Sequence, residues 1–176
     1  MSHERDLVEG MGNVSDLTPR IKKAVCRFFR SSGVEMARPG IVAISADLNF
    51  YSRMLAGACS WGWSADWANS MNRAVEICRS KHVQIVIYDR NLPCIDWRVA
   101  LDRLRAVVPE ARILMASTEI DEDFWRRVRR RRGYDVMART ASWEQVKREL
   151  QFAWLSLQAG NRREPENSGL PVLSER

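Results

Sequence analysis

The segment Val83 to Pro93, VQIVIYDRNLP, is apolar on both of its alternating faces and ends on a lone carboxylate, Asp89, with Pro93 close behind. A strand apolar on both faces must be covered on both, as happens in a parallel sheet held between helices. In open sheets of that kind the carboxyl ends of the strands form the crevice where ligands bind. Position alone therefore puts Asp89 at a functional edge.

The same arrangement recurs along the chain. Ile41 to Ser45 is followed by Ala46-Asp47, Arg112 to Ser117 by Thr118, and Asp135 to Ala138 by Arg139. Parallel strands would bring Asp47, Asp89, Ser117, Thr118 and Arg139 to one edge. Between these runs the apolar period becomes helical. Phe50, Tyr51, Met54, Leu55 and Ala58 form a first stripe, which Gly62 helps to end. Ser64 to Ala68 suits a second strand, and Trp61, Trp63 and Trp67 alternate as on an amphipathic strand. Ser70 caps a helix carrying Met71, Ala74, Val75 and Cys78 inward. Val99, Ala100, Leu101, Leu104, Val107 and Val108 define a third helix, stopped by Pro109. Asp121 or Glu122 opens a fourth with Phe124, Trp125 and Val128. Ser142 and Gln145 form a capping box for the last, which runs to about Leu157.

Fivefold alternation predicts an α/β chain with a flavodoxin-like, doubly wound five-stranded parallel sheet in the order 2-1-3-4-5 and right-handed crossovers. Residues 1–16 and 159–176 lack periodicity and are expected to be mobile ends. Residues 17–39 hold an added amphipathic helix, Thr18 to Ser31, with Ile21, Val25, Phe28 and Phe29 on one face, and a linker. The main domain is expected over 40–158.

Composition narrows the chemistry. Cys26, Cys59, Cys78 and Cys94 form no CxxC pair, and His3 and His82 have no second histidine at ligand spacing, so zinc and redox motifs are unsupported. No apolar run approaches 18 residues and no secretory segment is evident, so a cytoplasmic protein without membrane contact is expected. The formal net charge of +6 is concentrated in part at Arg126, Arg127, Arg129, Arg130, Arg131 and Arg132. Cations at a helix carboxyl end complement its dipole, but six exceed that need. They suit an anionic partner, either an acidic protein surface or, together with Lys22, Lys23, Arg27 and Arg30, nucleic acid phosphate.

From Ile41 to Leu157 the chain resembles the receiver domains of two-component response regulators. Asp89 with Pro93 and Asp96 matches the loop of that family, Ser117-Thr118-Glu119-Ile120-Asp121 its hydroxyl motif, and Arg139 stands where a lysine is usual. The resemblance is to an atypical, degenerate member. Ser45 and Ala46 stand where two acids are common, Cys94 and Trp97 where glycines are common, and Thr140 where proline often follows.

The resemblance implies Asp89 as phosphoacceptor, Ser117 or Thr118 as the hydroxyl that binds a phosphoryl oxygen, and Arg139 as counter-cation. It implies a magnesium site, weak or absent, built from Asp89, the Asn91 backbone carbonyl and Asp47. Because arginine is always charged and bidentate, Arg139 is expected to lock onto Asp89 even without phosphate. The implied role is a receiver-like signalling module of a phosphorelay, taking a phosphoryl group on Asp89 despite a degraded metal site. The alternative is a phosphorylation-independent pseudo-receiver that binds proteins; a weaker one is an accessory nucleic-acid binder. The chain is not expected to be an enzyme, beyond at most self-phosphorylation from a donor kinase and slow autodephosphorylation. The resemblance implies a sensor histidine kinase or signalling protein as partner; a homodimer is expected separately, with the added helix as its seam, because a lone amphipathic helix of about 14 residues is marginal in water without packing. The output face would carry Trp125, the arginine run, Trp143 and Trp154.

Overall fold

The computed structural model describes residues 38–161. The expected helix at 18–31, its dimer seam, the cations Lys22, Lys23, Arg27 and Arg30, and both expected mobile ends lie outside the described residues, apart from the last few positions of the closing helix.

Five strands alternate with five helices: β1 (Ile41–Ile44), α1 (Leu48–Cys59), β2 (Ala65–Ala68), α2 (Met71–Ser80), β3 (Ile85–Asp89), α3 (Trp97–Val107), β4 (Arg112–Ser117), α4 (Glu122–Arg130), β5 (Asp135–Ala138) and α5 (Trp143–Asn161). All neighbouring strands are parallel and the sheet order is β2-β1-β3-β4-β5, as expected.

Strand periodicity divides the core in two. Ile41, Ala43, Ile85, Ile87, Leu114, Ala116 and Met137 point toward the layer made by α1 and α5. Val42, Ile44, Val86, Tyr88, Ile113 and Met115 point toward α2, α3 and α4. Each large apolar side chain so buried contributes about 1.5–3 kcal/mol. That is why β1 and β3 could be read as double-faced strands. Gly57 lets α1 and α5 approach closely: a Cβ there would lie 2.5 Å from Val146 Cγ1. Gly62, at φ +70°, takes the left-handed conformation that closes the turn after α1.

Helix caps follow the sequence. Asp47, Ser70, Asp96 and Asp121 accept hydrogen bonds from the first turns of α1 to α4. Before α5, the Ser142 N–H donates to Gln145 Oε1 at 2.8 Å, and the Gln145 N–H to Ser142 Oγ at 3.4 Å, closing the capping box.

Four expectations need correction. Val99 is 53% exposed, because the buried stripe of α3 runs through Trp97, Ala100, Leu101 and Leu104, and Val99 lies off it. Trp61 and Trp63 sit in the turn ahead of β2 rather than on the strand. There Trp61 stacks on Trp63, which meets Trp154 edge-on at 6.1 Å. Trp154 is consequently core, buried between α1 and α5, and not part of an outer face. The closing helix also runs past Leu157, to Asn161.

Candidate functional site

The topology delivers the expected convergence at the carboxyl edge. Asp89 ends β3, Ser45 follows β1, Asp47 caps α1, Ser117 ends β4 and Arg139 follows β5. Asp89 is 1% exposed and surrounded by donors. Ser45 Oγ donates to its Oδ2 at 2.6 Å, and the Asn91 N–H donates to its Oδ1 at 3.0 Å. Arg139 Nε lies 3.0 Å from Oδ1 and 3.2 Å from Oδ2.

Arg139 also bridges to the second acid. Its second donor, Nη2, sits 2.8 Å from Asp47 Oδ2, so one guanidinium joins Asp47 and Asp89. Both sides of the clamp are fixed by backbone. The Arg139 N–H donates to the Ser117 carbonyl at 2.8 Å, and Arg53 Nη2 donates to the Arg139 carbonyl at 3.0 Å. Asp47 accepts from the Asn49 and Phe50 N–H groups. The Arg139 guanidinium stands 5.7 Å over the Phe50 ring. Hydrogen bonding to Asp89 holds the Arg139 pKa above its ordinary value against the pull of burial. For Asp47, burial pushes the carboxyl up, but the Phe50 and Asn49 amides and Arg139 outweigh it and hold the group below its ordinary value.

Ser45 is the positioning residue that the spacing did not single out. Its hydroxyl donates to Asp89 and accepts the Asp47 N–H at 3.0 Å. Trp67 Nε1 donates to its carbonyl at 2.8 Å, and its N–H reaches the Ala68 carbonyl at 3.0 Å. Serine is simply what remains where a second acid would stand, so only its buried contacts reveal its role.

Ser117 is buried at the same edge but faces the following loop. Its hydroxyl donates to the Glu119 carbonyl at 2.7 Å and accepts from the Glu119 N–H and from Arg90 Nη1, each at 3.2 Å. Among the described residues no hydrogen bond joins it to Asp89. Thr118 is exposed. Arg90, which the sequence reading passed over, ties these elements together, since its guanidinium also lies 4.5 Å over the Phe124 ring of α4. Trp97 meets Phe124 edge-on at 5.2 Å, so the loop after Asp89 is packed onto α4.

The donor set does not fit magnesium. Asp47 and Asp89 are the two acids available, and a permanently charged guanidinium already lies between them. Asn91 presents its N–H to Asp89. Among the described residues no group of three or more His, Cys, Asp or Glu side chains could hold a metal. A hard dication needs oxygen ligands and finds a like charge in their midst.

Half of the arginine run is paired with carboxylates. Arg126 pairs with Glu122 at 2.6 Å, Arg127 with Asp123 at 2.8 Å and Arg131 with Asp102 at 2.6 Å. Arg130 is exposed, while Arg129 and Arg132 line a cavity. Trp143 is half-buried at the start of α5. No helix among the described residues is long and apolar enough to cross a membrane.

No protein-family model and no curated protein matches this chain. Solved structures do. The signal receiver domain of an HD domain-containing protein from Pseudomonas fluorescens Pf-5 aligns with a TM-score of 0.64 at 16% identity, over 76% of this chain and 99% of that one. A response regulator from Thermotoga maritima aligns with a TM-score of 0.62 at 13% identity, over 66% and 98%. The chemotaxis response regulator CheY4 of Vibrio cholerae aligns with a TM-score of 0.61 at 14% identity, over 66% and 99%. The chain thus has the CheY-like receiver fold, as the resemblance implied.

Proposed function

We propose that this chain is a receiver-fold signalling module that acts by binding a partner protein, without phosphorylation of Asp89. One observation carries this reading: the Asp47–Arg139–Asp89 clamp, completed by the Ser45 hydroxyl. A carboxylate offers about four lone-pair sites, and here both oxygens of Asp89 are already engaged by donors. A carboxylate nucleophile needs a free lone pair aimed at phosphorus and cations on the transferring oxygens. Arg139 is committed to the acids, and Ser117 is committed to Glu119 and Arg90.

The fold supports the signalling role, because the aligned structures are receiver domains and response regulators. On this reading the partner is a signalling protein in the cytoplasm, the chain is not an enzyme, and no magnesium is required. The arginine run favours a nucleic-acid binder less than its length suggests, since three of its six charges are paired within the fold. A homodimer through residues 18–31 is tested by sedimentation of the full chain against one starting at Arg38.

The deciding experiment is incubation of the native chain with a small phosphodonor and magnesium, followed by intact-mass measurement. The expected result is an unmodified mass. Labelling should emerge in the Ala46→Asp, Arg139→Lys double variant, which restores an acid pair and loosens the clamp. Native labelling that disappears in Asp89→Asn would overturn the proposal in favour of the phosphorylated reading.

A further inference from the structure

Four arginines from three separate segments line one cavity at the edge of the sheet opposite Asp89. Arg105 comes from the last turn of α3, Arg112 opens β4, Arg129 lies in the last turn of α4 and Arg132 in the turn before β5. With Gly133 and Tyr134 they line a solvent-open cavity of about 320 Å³.

These four share a wall of the cavity, and none of them is salt-bridged to a carboxylate among the described residues. Arg126, Arg127 and Arg131 each hold a carboxylate, whereas none of the cavity arginines makes a salt bridge among the described residues. Their acceptors are neutral. Arg105 donates to the carbonyls of Pro109 at 2.8 Å, Ala111 at 2.7 Å and Arg132. Arg112 donates to Ser156 Oγ at 2.9 Å and to the Ser156 carbonyl at 3.2 Å, and Arg129 to the Tyr134 carbonyl. Arg105 Nε is buried with no partner at all. Burial lowers the Arg105 pKa, and Arg112 and Arg132 lower it further, with only Glu110 opposing. Like charges held this close raise the free energy of the fold unless an anion joins them.

We propose that this cavity is a binding site for the diphosphate group of a small molecule. A lone phosphate monoester carries about −1.5 to −2 charges, less than the four guanidinium groups offer, and two linked phosphates come closer. Guanidinium donors also match phosphoryl oxygens in geometry as well as charge. The size agrees, since small-molecule sites begin at roughly 300 Å³. Nucleic acid is disfavoured by shape. A protein that grips a nucleic acid backbone strongly does so through several phosphate contacts spread along it, on the order of 6–10. Here Arg126, Arg127 and Arg131 of the same run are paired with carboxylates, so the unpaired charge gathers around the cavity rather than along a stripe.

Arg132 gives a clean test because its backbone sits at φ +61°, a conformation that suits glycine. Arg132→Gly removes a cavity charge while relieving the backbone, so lost binding is not lost folding. Calorimetric titration of the full chain with pyrophosphate, at constant ionic strength, should give saturable one-site binding. Arg132→Gly should weaken it about tenfold with thermal stability retained, and Arg130→Gln, exposed on the same helix end, should leave it within about twofold. A nucleoside diphosphate that binds more tightly than pyrophosphate would identify a nucleotide as the source, and equal affinities a diphosphate group in general. The proposal fails if pyrophosphate gives no saturable heat, or if the two variants weaken it equally. It fails also if a single-stranded oligonucleotide binds more tightly than both small ligands with a steep salt dependence.

Discussion

The guanidinium of Arg139, one residue beyond β5, crosses the end of β4 to reach Asp89, the last residue of β3, at 3.0 Å. The acid is almost wholly buried and the base about one-fifth exposed, so neither partner can simply be hydrated if the other is removed. This pair occupies the carboxyl edge of the sheet, the side on which open parallel sheets bind ligands.

Breaking the pair from one side should therefore be costly. Arg139→Gln is expected to destabilise the chain by about 3–5 kcal/mol, since it strands a buried carboxylate. Adding Asp89→Asn to that variant should recover part of the loss. Urea unfolding of the two single variants and the double variant measures the coupling, and strictly additive losses would mean that the two residues do not share an interaction.

Asp47 makes the stability depend on acid. Its folded pKa lies below its ordinary value of 3.8, so its contribution is complete above that value and is lost as pH falls through the lower folded one. Asp47→Asn keeps a capping oxygen but removes the charge that Arg139 bridges. Stability curves of the native chain and the variant should differ above the ordinary value of 3.8 and converge as the pH falls below it. A gap independent of pH would show that the ion pair contributes nothing.

Cys94 and Cys78 should part company chemically. Cys94 is exposed, whereas burial pushes the Cys78 thiol up to about 11. Mass spectrometry after alkylation of the native chain near pH 8 should find Cys94 modified and Cys78 protected until unfolding. Cys94 also sits at φ +68°. Cys94→Gly is expected to stabilise the chain by about 0.5–1 kcal/mol, the relief of a left-handed side chain less the entropy that glycine loses on folding. A lower thermal midpoint in that variant would count against the strain.

Gly57→Ala probes the seam between α1 and α5. Its new Cβ would sit 2.5 Å from the stiff, branched side chain of Val146, so a loss of about 1–3 kcal/mol is expected. Val146→Ala in the same chain should return much of it. If the double variant is no more stable than Gly57→Ala alone, the helices are not in contact there.

Much of the fold was legible in the sequence, because strand and helix periods are local. The double-faced runs at Ile41 and Ile85, the caps at Asp47, Ser70 and Asp121, and the Ser142–Gln145 box each depend on residues within a few positions of one another. Where the reading slipped, the cause was also plain. Val99 is an apolar residue one position off a buried stripe, and hydrophobicity alone does not say which way a helix is rotated. Trp61 and Trp63 mimicked strand alternation inside a turn, because aromatic spacing does not reveal that Trp154 waits across the core.

The convergence of Asp47, Asp89 and Arg139 on one edge was determined by the sequence, since right-handed parallel crossovers bring every strand end to the same side. Their mutual bonds were settled only by the tertiary structure. Whether a guanidinium spans one carboxylate or two depends on distances between strands far apart in the chain, here 2.8 Å and 3.0 Å. The same holds for the arginines. In sequence they are one basic run, but packing sends Arg126, Arg127 and Arg131 to carboxylates and gathers Arg129 and Arg132 with Arg105 and Arg112. Charge is written along the chain, whereas its compensation depends on which groups folding brings within a few ångströms.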